Sequence, residues 1–135
     1  MNKAARRLVG MTHSIWAWHE ATFPEATEET QESKFTEETH EAELEQAKMT
    51  DLSTTPTDEL MFELADCFIT SIGMYRFNGE LAGEMLNHLW DGISDKAFIL
   101  LPDFVERKMA INKKRTWTMD KNGIYHHEEV KTKGV

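Results

Sequence analysis

The sequence predicts an all-α bundle of four to five helices, and three observations carry that expectation. Between Leu60 and Tyr75 apolar residues recur at steps of three and four, the period of a helix with a wide buried face. Breakers divide the rest of the chain into helix-length pieces: Pro24, the threonine-rich stretch around Pro56, the pair Asn78 and Gly79, and Pro102. No segment sustains the alternation of a half-buried strand.

A first helix is expected from about Lys3 to His19, ending before the turn-forming stretch TFPEAT. A second runs from about Glu28 to Met49. DLSTTPTDE then supplies a loop and a start signal, with Thr57 as N-cap and Asp58 and Glu59 in the first turn, where acids complement the helix dipole. The third helix, Asp58 to about Phe77, carries Leu60, Leu64, Phe68, Ile72 and Tyr75 on one stripe, with Met61, Ala65 and Ile69 beside it, as the central helix of a bundle would. Asn78 and Gly79 read as a left-handed cap that ends it. A weaker helical segment, ELAGEMLNHLWDGISDK, breaks near Gly92, and a last helix is expected after Pro102, from about Asp103 to Thr116. Residues 1–117 are expected to form one domain; residues 118–135 read as a polar tail that is either a turn or short hairpin around Asn122 and Gly123 or mobile chain, and His126 and His127 belong to it.

At 135 residues the chain has a modest core, and its 40% apolar and 29% charged content is ordinary for a soluble protein. Apolar runs are interrupted well before the ~20 residues of a membrane span, and the first twenty residues lack the apolar stretch of a signal peptide. Cys67, the single cysteine, excludes an intrachain disulfide and suits a reducing cytoplasm, where it would pack as a small buried hydrophobe. The net charge of −9 argues against a nucleic-acid partner, and its distribution is uneven. Fifteen Asp or Glu stand between Glu20 and Asp66 against Lys34 and Lys48; from Glu106 onward eight Lys or Arg face four acids. An acidic middle suits a metal, and a basic late segment suits the phosphates that a metal accompanies.

The second helix is the anomaly. Its apolar residues are only Phe35, Ala42, Leu44, Ala47 and Met49, and Glu37, Glu38, Glu41 and Glu45 repel one another at i+3 and i+4 spacing. Glu63 and Asp66 repeat the i, i+3 spacing on the third helix, where they interrupt an apolar pattern. Carboxylates at the edge of a core are costly unless compensated. A hard cation with oxygen ligands would neutralise both pairs, and Mg²⁺ suits this donor set better than zinc. The plainer alternative is that all five acids are solvated surface charges.

EETHE (Glu37 to Glu41), 21 intervening residues, then ELAD (Glu63 to Asp66) resembles the metal-binding signature of the MazG-like all-α nucleoside triphosphate pyrophosphatases. KMAINKKRTW (Lys108 to Trp117) resembles a K-M-x-x-N-x-x-R segment found on the last helix of several members, and WHEATFPEAT followed by KFTEETHEAEL resembles the phage-type dATP/dGTP diphosphohydrolase branch. The resemblance covers roughly Trp16 to Trp117 and implies a Mg²⁺-dependent enzyme, with Mn²⁺ as a substitute, that cleaves (d)NTPs between the α and β phosphates. Purine deoxynucleotides, dGTP or dATP, would be favoured, and the product would serve phage nucleotide pools or modified-base DNA. By the same resemblance Glu38, Glu41, Glu63 and Asp66 are metal ligands, Glu37 and Glu38 are catalytic, and the protein is a homodimer or homotetramer.

Lys108, Asn112 and Arg115 share one helical stripe and would clamp the triphosphate; a solvated basic helix end is the plainer alternative. Trp16, His19 and Trp117 are assigned to the base. Trp16 and Trp18 are two apart and cannot share a face, so one packs internally while the other accompanies His19. The alternative function is a non-catalytic helical module that binds a nucleotide or a protein.

Overall fold

The computed structural model describes residues 2–49 and 55–128. Most of the loop expected before the third helix and residues 129–135 of the tail lie outside the described residues. The described chain is all-helical apart from one small hairpin: α1 Lys3–Thr22, α2 Glu28–Ala47, α3 Asp58–Met74, α4 Gly79–Gly92, α5 Asp95–Lys114, then β1 Trp117–Met119 and β2 Tyr125–His127.

Each helix begins at a side-chain cap that satisfies one of its unpaired amide groups. Asn2, Thr57, Asn78 and Ser94 accept from the amides of Ala5, Leu60, Leu81 and Ala97 respectively, and Thr27 with Thr30 forms a reciprocal capping box. Thr57 is the N-cap its sequence position predicts; three other expectations are corrected.

Asn78 does not end α3 in a left-handed conformation. Its φ of −156° is extended, and its carboxamide starts α4, while α3 has already ended at Met74 with Tyr75 as C-cap. Pro102 does not precede the last helix but lies inside it, buried, because Ser94 and Asp95 form a stronger start seven residues earlier. One missing N–H is tolerated there since apolar neighbours on both sides, Ala97, Leu101, Phe104 and Val105, hold the helix to the core. α1 also runs one turn further than expected, to Thr22, where the Phe23 amide donates to the His19 carbonyl.

α3 occupies the centre and packs against each of the other four helices. Every residue from Cys67 to Met74 is buried, so this half of the helix has no solvent face. Arg7 ties α1 to α5 through Asp103 at 2.7 Å and Glu106 at 3.3 Å. α2 packs on α3 through a single stripe, Gln31, Phe35, Glu38 and Ala42, at steps of four, three and four. Two members of that stripe are polar.

After α5 the chain reverses through the antiparallel pairing of Trp117 with His127, Thr118 with His126 and Met119 with Tyr125. Asp120 organises the turn, accepting from the amides of Asn122 and Ile124, and Gly123 supplies the φ of +81° that the turn requires. The hairpin sets Trp117 and Tyr125 against the rings of α1 and the loop after it. No helix among the described residues is long and apolar enough to cross a membrane.

Candidate metal and nucleotide site

Glu38 and Glu41 stand one turn apart on α2, and α3 presents Glu63 opposite them. One carboxylate oxygen from each of the three lies within 4.8 Å of the other two. Glu38 is buried, at 7% exposure, whereas Glu41 and Glu63 are half-buried. Glu38 Oε2 and Glu63 Oε2 are buried without any hydrogen-bond partner, which is costly for oxygens that carry charge.

The surroundings register that cost. Burial pushes the Glu38 carboxyl up to about 8, with the nearby charges of Asp66, Glu41 and Glu63 adding to the effect and Lys34 opposing it. Glu63 is raised to about 7, again chiefly by burial, then by hydrogen bonding with Glu41 and the charge of Asp66. The Asp66 carboxyl is also raised by burial, against the opposing pull of Lys108. Without a cation this group is held together partly by protons.

Asp66, expected as the fourth ligand, adjoins the cluster but is already engaged: Lys108 Nζ lies 3.3 Å from its Oδ2. Lys34, one turn before Glu38, approaches Glu38 Oε1 at 3.3 Å. Four carboxylates thus meet two ammonium groups in direct contact, leaving an excess of two negative charges, the charge of one divalent cation. The donors are all hard oxygens, so the residues present fit Mg²⁺ or Mn²⁺.

Glu37, expected to be catalytic, is not part of this cluster. Successive residues diverge by about 100° around a helix, so when Glu38 points at α3 its neighbour turns away; Glu37 has a side chain 41% exposed and reaches Lys34 at 3.8 Å.

Next to the acids a narrow pocket of about 60 Å³ opens between α1, α2, α3 and the hairpin. Glu38, Asp66 and Asn112 line it, together with the rings of Trp18, Phe23, Trp117 and Tyr125. The aromatic groups pack edge to face, Trp18 on Phe23 at 5.2 Å, Phe23 on Trp117 at 5.0 Å and Trp18 on Trp117 at 6.0 Å between centroids.

Of the three residues assigned to the base, Trp117 and His19 line this pocket. Trp16 does not. It lies on a stripe with Ala5, Val9 and Thr12 that faces a separate apolar groove, lined also by Phe68 and Trp90. Trp18, roughly 200° further around α1, takes the position expected of Trp16.

His19 is buried and both its ring nitrogens are occupied: Nδ1 lies 2.8 Å from Arg76 Nη1, and Nε2 lies 3.0 Å from Gln31 Oε1. Burial, then the charge of Arg76, lowers its pKa to about 4, so the ring is neutral at physiological pH.

In the expected clamp, Asn112 is buried at the pocket wall, Lys108 is paired with Asp66, and Arg115 stands just past the end of α5 with its guanidinium donating to Asn112 Oδ1 at 3.3 Å. Trp117 Nε1 donates to the Asn112 carbonyl, fixing the indole at the pocket edge. Gln31, Thr70 and Lys34 also line the pocket, and sequence reasoning did not single them out. Comparison with family models, with curated proteins and with solved structures finds no match to this chain.

Proposed function

We propose that the protein is a divalent-metal-dependent (d)NTP pyrophosphohydrolase, converting a nucleoside triphosphate into the monophosphate and pyrophosphate. The observation that carries this reading is the cluster of Glu38, Glu41 and Glu63, with two buried, unpartnered carboxylate oxygens, whose Glu38 also lines an aromatic-walled pocket. Glu38, Glu41 and Glu63 would hold Mg²⁺, with Asp66 joining them as Lys108 turns to phosphate. When bound, the cation supplies charge neutralisation at phosphate oxygens and a water of lowered pKa.

The remaining work falls to the chain's own groups. Lys34 and Lys108 lie beside the carboxylates and can neutralise the charge that develops on the leaving pyrophosphate. Arg115 is close enough to act on Asp66 and can reach the same phosphates from the end of α5. Trp18, Phe23, Trp117 and Tyr125 hold the base by stacking and edge contacts and exclude water from it. Glu37, outside the cluster, has no part in this arrangement.

The family resemblance favours dGTP or dATP as substrate, a cytoplasmic enzyme of phage nucleotide metabolism, and a homodimer or homotetramer; the apolar groove at Trp16 and Trp90, with Val9 and Tyr75 exposed on it, offers surface for such assembly.

The test is pyrophosphate release from a panel of dNTPs and NTPs with Mg²⁺, comparing the unaltered protein with Glu38→Gln and Glu63→Gln. Release that falls about a hundredfold or more in both variants is expected, the loss typical when a group that stabilises transition-state charge is removed. Absence of release from every nucleotide would overturn the enzymatic reading and leave a binding module.

A further inference from the structure

We infer that Gln31 is the residue that reads the nucleobase, and that Arg76, acting through His19, is the positioning residue that holds the Gln31 amide in one orientation. This rests on the nucleotide reading of the pocket. The argument is one of donors and acceptors. A guanidinium only donates, so at 2.8 Å the His19 Nδ1 must accept from Arg76 Nη1. A neutral imidazole that accepts at Nδ1 carries its proton on Nε2. That Nε2–H donates to Gln31 Oε1 at 3.0 Å, and Gln31 Nε2 in turn donates to the Thr70 carbonyl at 2.8 Å. Rotating the amide by half a turn would set N–H against N–H and oxygen against oxygen, so both contacts would become repulsive.

Arg76 is itself fixed, donating to the carbonyls of Phe23 at 2.9 Å and His19 at 3.3 Å. The layer has no slack on its other side. A Cβ placed on Gly73 would stand 2.5 Å from His19 Cδ2 and 2.8 Å from Gln31 Nε2, so imidazole and amide pack directly on the α3 backbone. After its two internal bonds the Gln31 amide retains one N–H and one oxygen lone pair, and it lies in the wall of the aromatic slot. The ligand class that answers is a planar heterocycle with a hydrogen-bond acceptor and donor adjacent on one edge, as a nucleobase has. A fixed donor and acceptor at a fixed depth accept one register of such an edge and penalise others.

The experiment measures Kd for the four deoxynucleoside monophosphates with Mg²⁺ in the unaltered protein and in Gln31→Leu, Arg76→Met and Arg76→Lys, together with the Mg²⁺-induced rise in melting temperature. The expected result is a preference of about tenfold or more for one base in the unaltered protein, on the scale of one bidentate contact. It should shrink to within about threefold in Gln31→Leu and Arg76→Met, and persist in Arg76→Lys, which keeps a cationic donor for His19 Nδ1. The Mg²⁺ response should remain in every variant, which separates base reading from collapse of the fold. Equal binding of all four bases by the unaltered protein, or a preference that survives in both Gln31→Leu and Arg76→Met, would overturn the inference. Pyrophosphate release with a base preference untouched in Gln31→Leu sinks this inference alone; selective, Gln31-dependent binding without any hydrolysis sinks only the enzymatic reading.

Discussion

Replacing Glu38 by glutamine should stabilise the metal-free protein at alkaline pH and abolish its response to Mg²⁺. In the folded chain the Glu38 carboxyl is raised from 4.5 to about 8, mainly by burial. The folded state therefore holds a proton that the unfolded chain has released, and the stability this lends is fullest below pH 4.5 and is lost as pH rises toward 8. Its side chain is only 10% exposed, so solvent screening removes little of the effect. Between pH 5 and pH 8 the loss amounts to about 3 kcal/mol at 1.36 kcal/mol per pH unit of linkage. An amide of the same shape does not titrate. Thermal melts without metal should thus place Glu38→Gln ahead of the unaltered protein by ~15 °C at pH 8 and by ~3 °C at pH 5, taking about 4 °C per kcal/mol for a domain of this size. Saturating Mg²⁺ should raise the melting temperature of the unaltered protein, more at pH 8 than at pH 6 because the cation competes with protons, and should leave the variant unmoved. A melting difference that does not change with pH would refute the burial argument. A variant that keeps the full Mg²⁺ response would refute the placement of Glu38 among the ligands.

Gly73→Ala should cost ~1–3 kcal/mol in thermal or urea melts, because the new methyl would lie 2.5 Å from the His19 ring with no room to retreat; a melt like that of the unaltered protein would refute the close packing of this layer. Trp18→Ala should weaken binding of a deoxynucleoside monophosphate by about tenfold, the scale of one stacked aromatic ring, while Trp16→Ala should leave it within about twofold, and calorimetric titration that ranks them the other way would return Trp16 to the pocket. Glu37→Gln should retain pyrophosphate release within about threefold, since it removes only an exposed partner of Lys34; a hundredfold loss would restore Glu37 as a catalytic group.

The central helix and the clustering of Glu38, Glu41 and Glu63 were legible in the sequence because both depend on short-range spacing. An apolar stripe from Leu60 to Ile72 must face a core, and acids at i and i+3 must share a face. Where the sequence misled, a longer-range choice decided. Trp16 and Trp18 face opposite sides of α1, and which side meets the pocket depends on where α2 and the hairpin settle. The resemblance makes both Glu37 and Glu38 catalytic; the direction of α3 sets Glu38 in the cluster and leaves Glu37 beside Lys34. Pro102 carries the usual signal of a helix start, yet Ser94 with Asp95 supplied the cap that prevailed. Asn78 could serve either as the end of one helix or the start of the next, and its side-chain bond to the Leu81 amide selects the start.

α2 shows why the candidate site and the fold are not separable. Judged by its apolar residues it has little to pack with, and Leu44, counted among them, is in fact 53% exposed. What joins α2 to α3 is the stripe Gln31, Phe35, Glu38 and Ala42, in which a polar residue alternates with an apolar one. Phe35 and Ala42 supply burial; Gln31 supplies a hydrogen bond to the Thr70 carbonyl; Glu38 supplies a buried acid that must be protonated or neutralised to remain there. Had both polar positions been leucine, α2 would bind α3 more firmly and the pocket would lose both its amide and its acid from α2. The sequence thus gives up core stability at two positions of one helix, and both of those positions, the acid and the fixed amide, line the pocket. A cation held by Glu38 and a ring held against Gln31 would each reinforce the same seam, so occupancy of either position stabilises the helix that forms the other.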